Sequence, residues 1–497
     1  MKRLCILLTL ITLTTITIYA QTPLKREFRG SWIQCVNGQF QGLTPEACQA
    51  RLTTQLDALQ DCGINTVIFQ VRAEGDALYN SSLEPWSRFL TGRQGTSPGW
   101  DPLAWMIEQA HKRGMELHAW INPYRAKTAG TNELAVTHQY IQHPERFFTY
   151  GDLIIFNPAL SENRDWICTI AQDIVRRYDI DGFHIDDYFY PYPQAGLTIP
   201  DEDYFRADTR GFTSIADWRR DNVNLLIEQL HNTIRQTKPW VKFGVSPFGI
   251  YHNETNLDDI PGSQTAGLQN YDDLYADVLF WIQQGWIDYN VPQLYWQMGH
   301  PTADYEVLLQ WWAQNASGRP LVIGQDVERT IQYADLKNAE VNQMPTKLNL
   351  ARSLTQVSGN CFWYSAALAQ NTGNYAEVLR EYYHRYPALL PAFDFIDKET
   401  PRKPRGVRDI WTDDGHMLVW LEPKWKTWQD QPHNYVVYRF KKGEKQDLDD
   451  PSHIIAITNL TYLPLQDFND GNTATYVVTA LNRLQSESKG KARKVKP

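Results

Sequence analysis

Hydrophobic positions between residues 28 and 385 alternate between two patterns. Short apolar runs, rich in branched and aromatic residues, are typical of buried parallel strands. Each run is followed by a segment with apolar residues at helical spacing. Eight such runs occur, at residues 28–35, 66–71, 116–121, 182–186, 242–247, 289–294, 321–324 and 361–364. Eight strand–helix units in succession predict an α/β fold, a (β/α)8 TIM barrel.

The connections within this pattern differ in length. Segments that lead from a strand to the next helix are long, at residues 72–99, 125–160, 188–213 and 249–270, whereas helix-to-strand turns are short. In barrels of this type the strand-to-helix loops form the active site. We therefore expect a ligand-binding face at the carboxyl ends of the strands.

The pattern changes after the last predicted helix. Four prolines, at positions 387, 391, 401 and 404, mark a linker that we place at residues 391–404. Residues 405–497 contain short alternating strands without a helical segment, which predicts a small all-β sandwich. The barrel then occupies residues 21–390.

The amino terminus has the order of a secretory signal peptide. Lys2 and Arg3 precede an apolar, threonine-rich run that ends at Ala20. Residues 1–20 are therefore predicted to direct export to the periplasm or beyond the cell. No later apolar run has a comparable length, so we expect no membrane span.

The charge and aromatic content of the chain indicate which classes of molecule it binds. The chain has 57 Asp and Glu against 48 Lys and Arg, a net charge of −9 that disfavours a nucleic-acid partner. Aromatic residues make up 13%, including 18 Trp and 26 Tyr. Flat rings with a polar edge suit the faces of sugars, although a large barrel also buries many aromatic side chains.

Five cysteines follow the predicted signal peptide, at positions 35, 48, 62, 168 and 361. They show no CxxC or zinc-type spacing, so a metal site built on sulfur is not expected. We predict buried free thiols, with one disulfide as the alternative. Neither a cofactor nor a catalytic metal is predicted.

The densest polar cluster lies at the exit of the fourth predicted strand. Asp186 and Asp187 stand there, inside the run from Asp181 to Tyr190. Carboxylates are costly in the apolar interior of a parallel barrel unless they face a polar site. Two carboxylates so close together shift each other's pKa, so that one keeps its proton while the other is ionised. Acid–base catalysis at a glycosidic bond requires such a pair. The alternative is a loop cap or a pair with an arginine.

The second and third predicted strands end in polar groups as well. Arg72 could hold a carboxylate or bind substrate bidentately, and Glu74 could be a further catalytic carboxylate. A structural Arg–Glu pair at the barrel mouth is the alternative for both. Asn122 and Tyr124, at the end of the third strand, are candidate orienting groups.

The sixth predicted strand ends in Gln293, Tyr295 and Trp296. A period of two places Gln293 and Tyr295 on one side, with Trp296 next to the mouth. A tyrosine hydroxyl beside a tryptophan suits a hydroxylated or N-acetylated sugar, whereas core packing is the alternative for Trp296. Asp326 and Glu328, after the seventh strand, are reserve carboxylates.

These motifs resemble the glycosyl-hydrolase-10-like (GHL10) proteins, which are secreted bacterial (β/α)8 enzymes. The resemblance is carried, in chain order, by residues 26–30, 67–72, 118–125, 181–192, 217–222, 245–249 and 288–296. It implies hydrolysis of glycan chains, with bacterial cell-wall glycan as the best substrate class. The C-terminal part resembles a fibronectin type III module.

The fourth-strand run is also similar to the chitinase signature Asp-Gly-x-Asp-x-Asp-x-Glu. His184 and Tyr188 replace its second Asp and its Glu, so a chitinase mechanism does not transfer intact, and we assign both residues to substrate binding. Adjacent aspartates occur in other barrels that act on N-acetyl sugars by substrate assistance. There one carboxylate orients the acetamido group and its neighbour is the acid/base.

The hypothesis from sequence is therefore a glycoside hydrolase acting on N-acetyl amino sugars of peptidoglycan-type glycan. Asp187 is the predicted acid/base, Asp186 with Tyr295 positions the reacting sugar, and Glu74 is a reserve nucleophile. A glycosidase for a neutral polysaccharide and a non-catalytic carbohydrate-binding barrel are the alternatives. We expect a monomer whose partner is the glycan.

Overall fold

The computed structural model describes residues 23–468 and 470–496. The predicted signal peptide, residues 1–20, lies outside the described residues. Within the described part of the chain, no helix combines the length and hydrophobicity of a transmembrane span.

Eight parallel strands close into a barrel, which confirms the predicted fold. They are Phe28–Ile33, Thr66–Arg72, Glu116–Ile121, Gly182–Ile185, Lys242–Val245, Tyr289–Asn290, Leu321–Asp326 and Val357–Trp363. The first strand closes the barrel on the eighth, with Phe28 opposite Gly359. A Cβ at Gly359 would lie 1.9 Å from the carbonyl oxygen of Phe28, so only glycine permits this approach.

Two strand boundaries differ from the sequence prediction by four residues, and six others differ by one or two. The sixth strand ends at Asn290 because Pro292, which lacks an N–H, interrupts its ladder; pairing resumes only as isolated bridges through Gln293. The eighth strand begins at Val357, four residues earlier than predicted, because Gly359 and Asn360 weaken the local strand signal without preventing pairing.

Helices follow the strands and cover the outside of the barrel. The main ones are Pro45–Asp61, Pro102–Lys112, Ser161–Arg177, Ile215–Thr237, Val278–Gln284, Tyr305–Gln314, Met344–Ser353 and Ser365–Ala369. Thr44 accepts a hydrogen bond from the Ala47 N–H at 3.3 Å, and Asp101 accepts one from Ala104 at 3.0 Å. These caps, each followed by proline at the first helical position, fix where two helices begin.

The strand-to-helix loops carry further elements. Short strands Arg125–Lys127, Phe147–Tyr150 and Leu153–Phe156 form a three-stranded sheet after the third barrel strand. Short helices in these loops are Arg88–Thr91, Gln139–Gln142, Glu202–Ala207, Asn270–Asp273 and Val327–Gln332, and a further short helix, Tyr375–Val378, follows the last main helix. The long predicted loops therefore form a structured rim at the carboxyl ends of the strands.

Two antiparallel sheets form the C-terminal domain, which confirms the all-β prediction. One sheet contains Arg405–Thr412, Gly415–Leu421 and Tyr462–Pro464, and the other contains Ile454–Thr458, Asn434–Lys441, Ala474–Leu481 and Lys491–Val495. Leu418 and Trp420 from the first sheet pack with Val437 and Val478 from the second. The resemblance to fibronectin type III stays a prediction.

The C-terminal domain packs against the amino-terminal ends of the barrel strands. Gln485 donates a hydrogen bond to Glu116, the first residue of the third strand, at 2.7 Å. Leu484 is fully buried in the cluster that also contains Phe28 and Ile68. The opposite, carboxyl end of the barrel is thus left for a substrate.

All five cysteines of the described chain are buried and free, which confirms the prediction of unpaired thiols.

Candidate active site

A cleft of about 330 Å³ opens at the carboxyl ends of the strands. It is lined by Trp32, Val36, Gln70, Trp120, Arg125, Asp186, Asp187, Tyr188, Tyr192, Ser246, Phe248, Gln293, Tyr295, Trp296, Asp326, Arg329 and Trp363. Six of the eleven predicted site residues line it: Asp186, Asp187, Tyr188, Gln293, Tyr295 and Trp296.

Asp186 is held from the third strand. Its Oδ2 accepts hydrogen bonds from Trp120 Nε1 at 3.1 Å and from Asn122 Nδ2 at 2.5 Å. Asn122 is fixed in turn because its Oδ1 accepts a hydrogen bond from Gln70 at 2.6 Å. Burial, followed by the neighbouring Asp187, raises the pKa of Asp186 well above its ordinary value. Asn122 thus lies behind the carboxylate and outside the cleft lining.

Asp187 shares the cleft although alternation along a strand would direct it away from Asp186. The fourth strand ends at Ile185, and the chain then turns with a hydrogen bond from the Phe189 N–H to the Asp187 carbonyl. Both side chains therefore reach the same cavity. Burial raises the pKa of Asp187, whereas the hydroxyl of Tyr192, which donates to its Oδ2, and the charge of Arg125 oppose that rise.

Arg125 supplies a positive charge beside this pair. Its guanidinium lies 3.3 Å from the centroid of the Tyr188 ring, a cation–π contact. The Tyr188 and Tyr192 rings are 5.6 Å apart, so the two tyrosines and the arginine form one wall of the cleft. Burial and the negative charge of Asp187 raise the pKa of Tyr188 to about 12, which keeps its hydroxyl protonated at neutral pH.

Aromatic rings form the remaining walls. Tyr295 is stacked on Trp363 with centroids 6.5 Å apart, and Trp32 meets Trp363 edge-on at 6.3 Å. Trp296 packs edge-on against Phe248 at 5.3 Å. Gln293 is fixed by a hydrogen bond from its Nε2 to the carbonyl of Ser246 at 2.9 Å. These flat surfaces around two carboxylates suit a sugar ring.

His184 does not face the cleft, which corrects its assignment to substrate binding. It is buried inside the barrel, where Nε2 lies 2.9 Å from Ser246 Oγ and Nδ1 lies 3.0 Å from the Tyr289 hydroxyl. Burial and the nearby His118 hold the pKa of His184 well below its ordinary value, so the ring is neutral. Its effect on the cleft is indirect, through Ser246.

Arg72 lies away from the cleft as well, so the expectation that it binds substrate is corrected. Its guanidinium is fully buried in a two-pronged pair with Glu84, both distances being 2.7 Å, and it donates to the Asn122 carbonyl at 2.6 Å. Tyr124, the other predicted orienting residue of this region, is buried in the core outside the cleft. Both positions are structural.

Glu74, the predicted reserve nucleophile, is occupied by structural partners. It pairs with Arg88 at 2.9 Å and accepts hydrogen bonds from the Thr128 N–H at 3.0 Å and the Thr131 hydroxyl at 2.7 Å. It is fully buried and does not line the cleft. Glu74 thus forms the structural Arg–Glu pair that was the alternative prediction, but with Arg88 and not with Arg72.

Of the two reserve carboxylates predicted after the seventh strand, only one lines the cleft. Asp326 lines the cleft, but its Oδ1 also caps the helix Val327–Gln332 by accepting from the Arg329 N–H at 2.9 Å. Glu328 lies outside and accepts a hydrogen bond from the Tyr364 hydroxyl at 3.2 Å.

Sequence reasoning missed several lining residues, chiefly Trp32, Arg125, Tyr192, Phe248 and Trp363. Trp32 and Trp363 belong to the first and eighth strands, whose exits have no cluster of polar residues. A rule that takes the last aromatic or charged residue of every predicted strand, and not only polar clusters, would have found Trp32 and would have selected Tyr364, the neighbour of Trp363. Arg125 follows Tyr124 directly in a motif that was already singled out.

Within the described residues, three potential metal ligands, His111, Asp181 and His433, have their ligand atoms within 4.8 Å of one another. This cluster contains no residue of the cleft lining.

The chain is similar to several known proteins. Glycosyl hydrolase YngK of Bacillus subtilis (strain 168) is 38% identical over 97% of this chain and 96% of its own length. Glycosyl hydrolase DigH of Escherichia coli (strain K12) is 39% identical over 63% of this chain and 74% of its own length. The glycoside hydrolase domain of PgaB (BpsB) from Bordetella bronchiseptica is a more distant likeness, with 14% identity and a TM-score of 0.45 over 72% of this chain and 98% of that one. Residues 27–341 match the family described as glycosyl hydrolase-like 10, and the chain belongs to that family.

Proposed function

We propose that this glycosyl hydrolase cleaves N-acetyl amino sugar chains of the bacterial cell wall, with Asp186 and Asp187 as its catalytic pair. The observation that carries the proposal is two adjacent buried carboxylates in one aromatic-walled cleft. Since burial raises the pKa of both, the pair retains a proton to higher pH than ordinary aspartates do.

Asp186 is suited to remain the carboxylate of the pair although burial and Asp187 raise its pKa well above the ordinary value, because the two groups titrate together and their hydrogen-bond partners decide which of them holds the proton. Trp120 Nε1 and Asn122 Nδ2 can only donate hydrogen bonds, and both are directed at Asp186 Oδ2. The role we propose for Asp186 is to accept the N–H of the substrate acetamido group. The carbonyl oxygen of the acetamido group is then oriented towards the anomeric carbon. Tyr295 makes a further contact with the sugar.

Asp187 is suited to carry the proton. Its partner Tyr192 has a hydroxyl that can accept as well as donate, so a protonated Asp187 keeps a partner. In the proposed first step, Asp187 gives its proton to the glycosidic oxygen as the bond from that oxygen to the anomeric carbon breaks. The acetamido oxygen forms the new bond to that carbon. In the second step, water attacks the same carbon, the acetamido oxygen leaves, and Asp187 takes the water proton.

The test is product analysis with a panel of glycans. Purified peptidoglycan, with and without amidase treatment to remove stem peptides, is compared with chitin and neutral polysaccharides. The proposal expects reducing ends from a cell-wall substrate, at a rate that Asp186→Asn lowers strongly. Cleavage of only a neutral polysaccharide would favour a different specificity, and binding without cleavage of any glycan would indicate a carbohydrate-binding barrel.

We further propose that the protein is exported and acts as a monomer on its glycan. The basic start and apolar run of residues 1–20 support export. Both carboxylates and the aromatic walls of the cleft are held within one chain, as a monomer requires.

A further inference from the structure

A second cluster of chemically versatile side chains lies at the opposite end of the barrel from the cleft. His111 is in the last turn of the helix Pro102–Lys112, and Asp181 directly precedes the fourth barrel strand. His433 directly precedes Asn434–Lys441 of the C-terminal domain. The three side chains therefore meet where the two domains are in contact.

Their ligand atoms are close enough to share one ion. His111 Nε2 lies 2.7 Å from Asp181 Oδ2, and His433 Nε2 lies 3.4 Å from Asp181 Oδ1. All three ligand atoms fall within 4.8 Å of one another. Ligand atoms around a tetrahedral zinc ion, with bonds of roughly 2.0–2.1 Å, are about 3.3 Å apart. Small side-chain movements would thus bring this set around zinc.

The cluster is held in place by the backbone around it. Asp181 donates its N–H to the Leu117 carbonyl at 2.9 Å, and its Oδ2 accepts from the Leu117 N–H at 2.9 Å. His433 donates its N–H to the Leu481 carbonyl at 2.7 Å. Ligands fixed in this way lose little freedom when an ion binds.

Space for a fourth ligand is also present. A small cavity of about 10 Å³ adjoins the three side chains and is bounded further by Gly114, Met115, Glu116, Asn434 and Asn459. This is about the room of one water molecule, and the side chains of Glu116, Asn434 and Asn459 offer it polar partners. Two imidazoles, a carboxylate and a water are a familiar zinc ligand set.

One nearby charge opposes a cation. Arg483 Nη1 lies 3.7 Å from Asp181 Oδ1, while its Nη2 is bonded to Asp179 at 2.7 Å. The guanidinium therefore weakens zinc binding without occupying a ligand position. The charge of Arg483 therefore provides a test. If the cluster binds zinc, removing this charge should tighten zinc binding, whereas a cluster held only by hydrogen bonds would show no such change.

We propose that His111, Asp181 and His433 bind a zinc ion that fastens the C-terminal domain to the amino-terminal end of the barrel. The role is structural, since the cluster shares no residue with the cleft. It does not depend on which glycan the enzyme cleaves.

The test uses the full chain, freed of metal by a chelator and then dialysed. Titration calorimetry with zinc chloride should give one zinc per chain, and zinc should raise the Tm by about 2 °C or more. His433→Ala should weaken binding at least about tenfold. His453→Ala, at another partly exposed histidine of the same domain, should leave it unchanged.

Arg483→Gln keeps all three ligands and should bind zinc more tightly than the unaltered protein. Cobalt(II) in place of zinc should give the intense visible absorption of a tetrahedral site. The proposal is overturned if the unaltered protein binds no stoichiometric zinc, or if His433→Ala binds it as well as His453→Ala does. Should His433→Ala fail to fold, weaker or unchanged binding by Arg483→Gln would overturn it independently.

Discussion

Asn122 donates its side-chain N–H to Asp186 Oδ2 at 2.5 Å, and so an amide that directly follows the third strand fixes a carboxylate that directly follows the fourth. The same asparagine receives a hydrogen bond from Gln70 of the second strand at 2.6 Å. Groups on or next to the second and third strands thus set the orientation of one half of the proposed catalytic pair.

Replacing Asn122 by alanine should lower kcat by about tenfold or more, with KM changed less, because Asp186 loses its orientation while the aromatic walls remain. Loss of an N–H donor also disfavours the charged carboxylate, so the pKa of Asp186 rises further. The acidic limb of the pH profile should therefore move to higher pH. A profile identical to that of the unaltered enzyme would contradict the positioning role.

Asp187→Asn should reduce turnover on natural glycan by on the order of a hundredfold or more, the usual range for losing acid–base help. The loss should be least on substrates with good leaving groups, which need no proton. Steady-state rates on glycan and on aryl glycosides measure the difference. Asp203→Asn, an exposed aspartate of the same barrel, is the matched control and should retain full activity.

The pH dependence of stability provides a separate check on Asp187. Because its folded pKa is raised, the folded state binds more protons than the unfolded state between the two pKa values. Stability from this group is therefore present at low pH and is lost as the pH rises through the folded pKa. Asp187→Asn should raise the Tm at pH 7 and have little effect near pH 4, as thermal unfolding at the two pH values will show.

Glu74→Gln should lower the free energy of unfolding more than it lowers kcat, because Glu74 pairs with Arg88 and accepts hydrogen bonds from Thr128 and Thr131. Leaving one partner of a buried ion pair unmatched costs about 3–5 kcal/mol. Denaturant unfolding and kcat of the folded fraction separate the two effects. If Glu74→Gln is folded but inactive while Asp187→Asn turns over normally, the catalytic centre belongs at the second strand.

Trp296→Ala should raise KM about tenfold with a smaller change in kcat, because an aromatic contact worth about 1 kcal/mol or more is removed from the substrate-binding wall. Trp411→Ala removes a tryptophan of the C-terminal domain that is 72% exposed and outside the cleft. Its KM should match that of the unaltered enzyme. Equal effects of the two changes would show that Trp296 has no specific contact with the substrate.

The sequence by itself determined the order of elements and the location of the carboxylate pair. A parallel strand that is buried on both faces needs a short run of apolar residues, and such a run is visible in the local sequence. All eight barrel strands could therefore be predicted from the chain. Asp186 and Asp187 were identifiable because charged side chains at the end of such a strand need a polar surrounding. The cysteine spacing argued only against a metal site built on sulfur, and the prediction of buried free thiols, preferred over one disulfide, is confirmed.

Only the tertiary structure decided which strand-end residues face the cleft. Arg72 and Glu74 have the same kind of sequence context as Asp186, but Glu84 and Arg88, from the loop that follows, take them as ion-pair partners. Trp32 and Trp363 meet because the first strand closes on the eighth, far apart in sequence. Likewise, His433 reaches Asp181 only because the C-terminal domain folds back onto the barrel. Contacts between distant segments depend on how the elements pack, and the local pattern of apolar and polar residues does not encode that packing residue by residue.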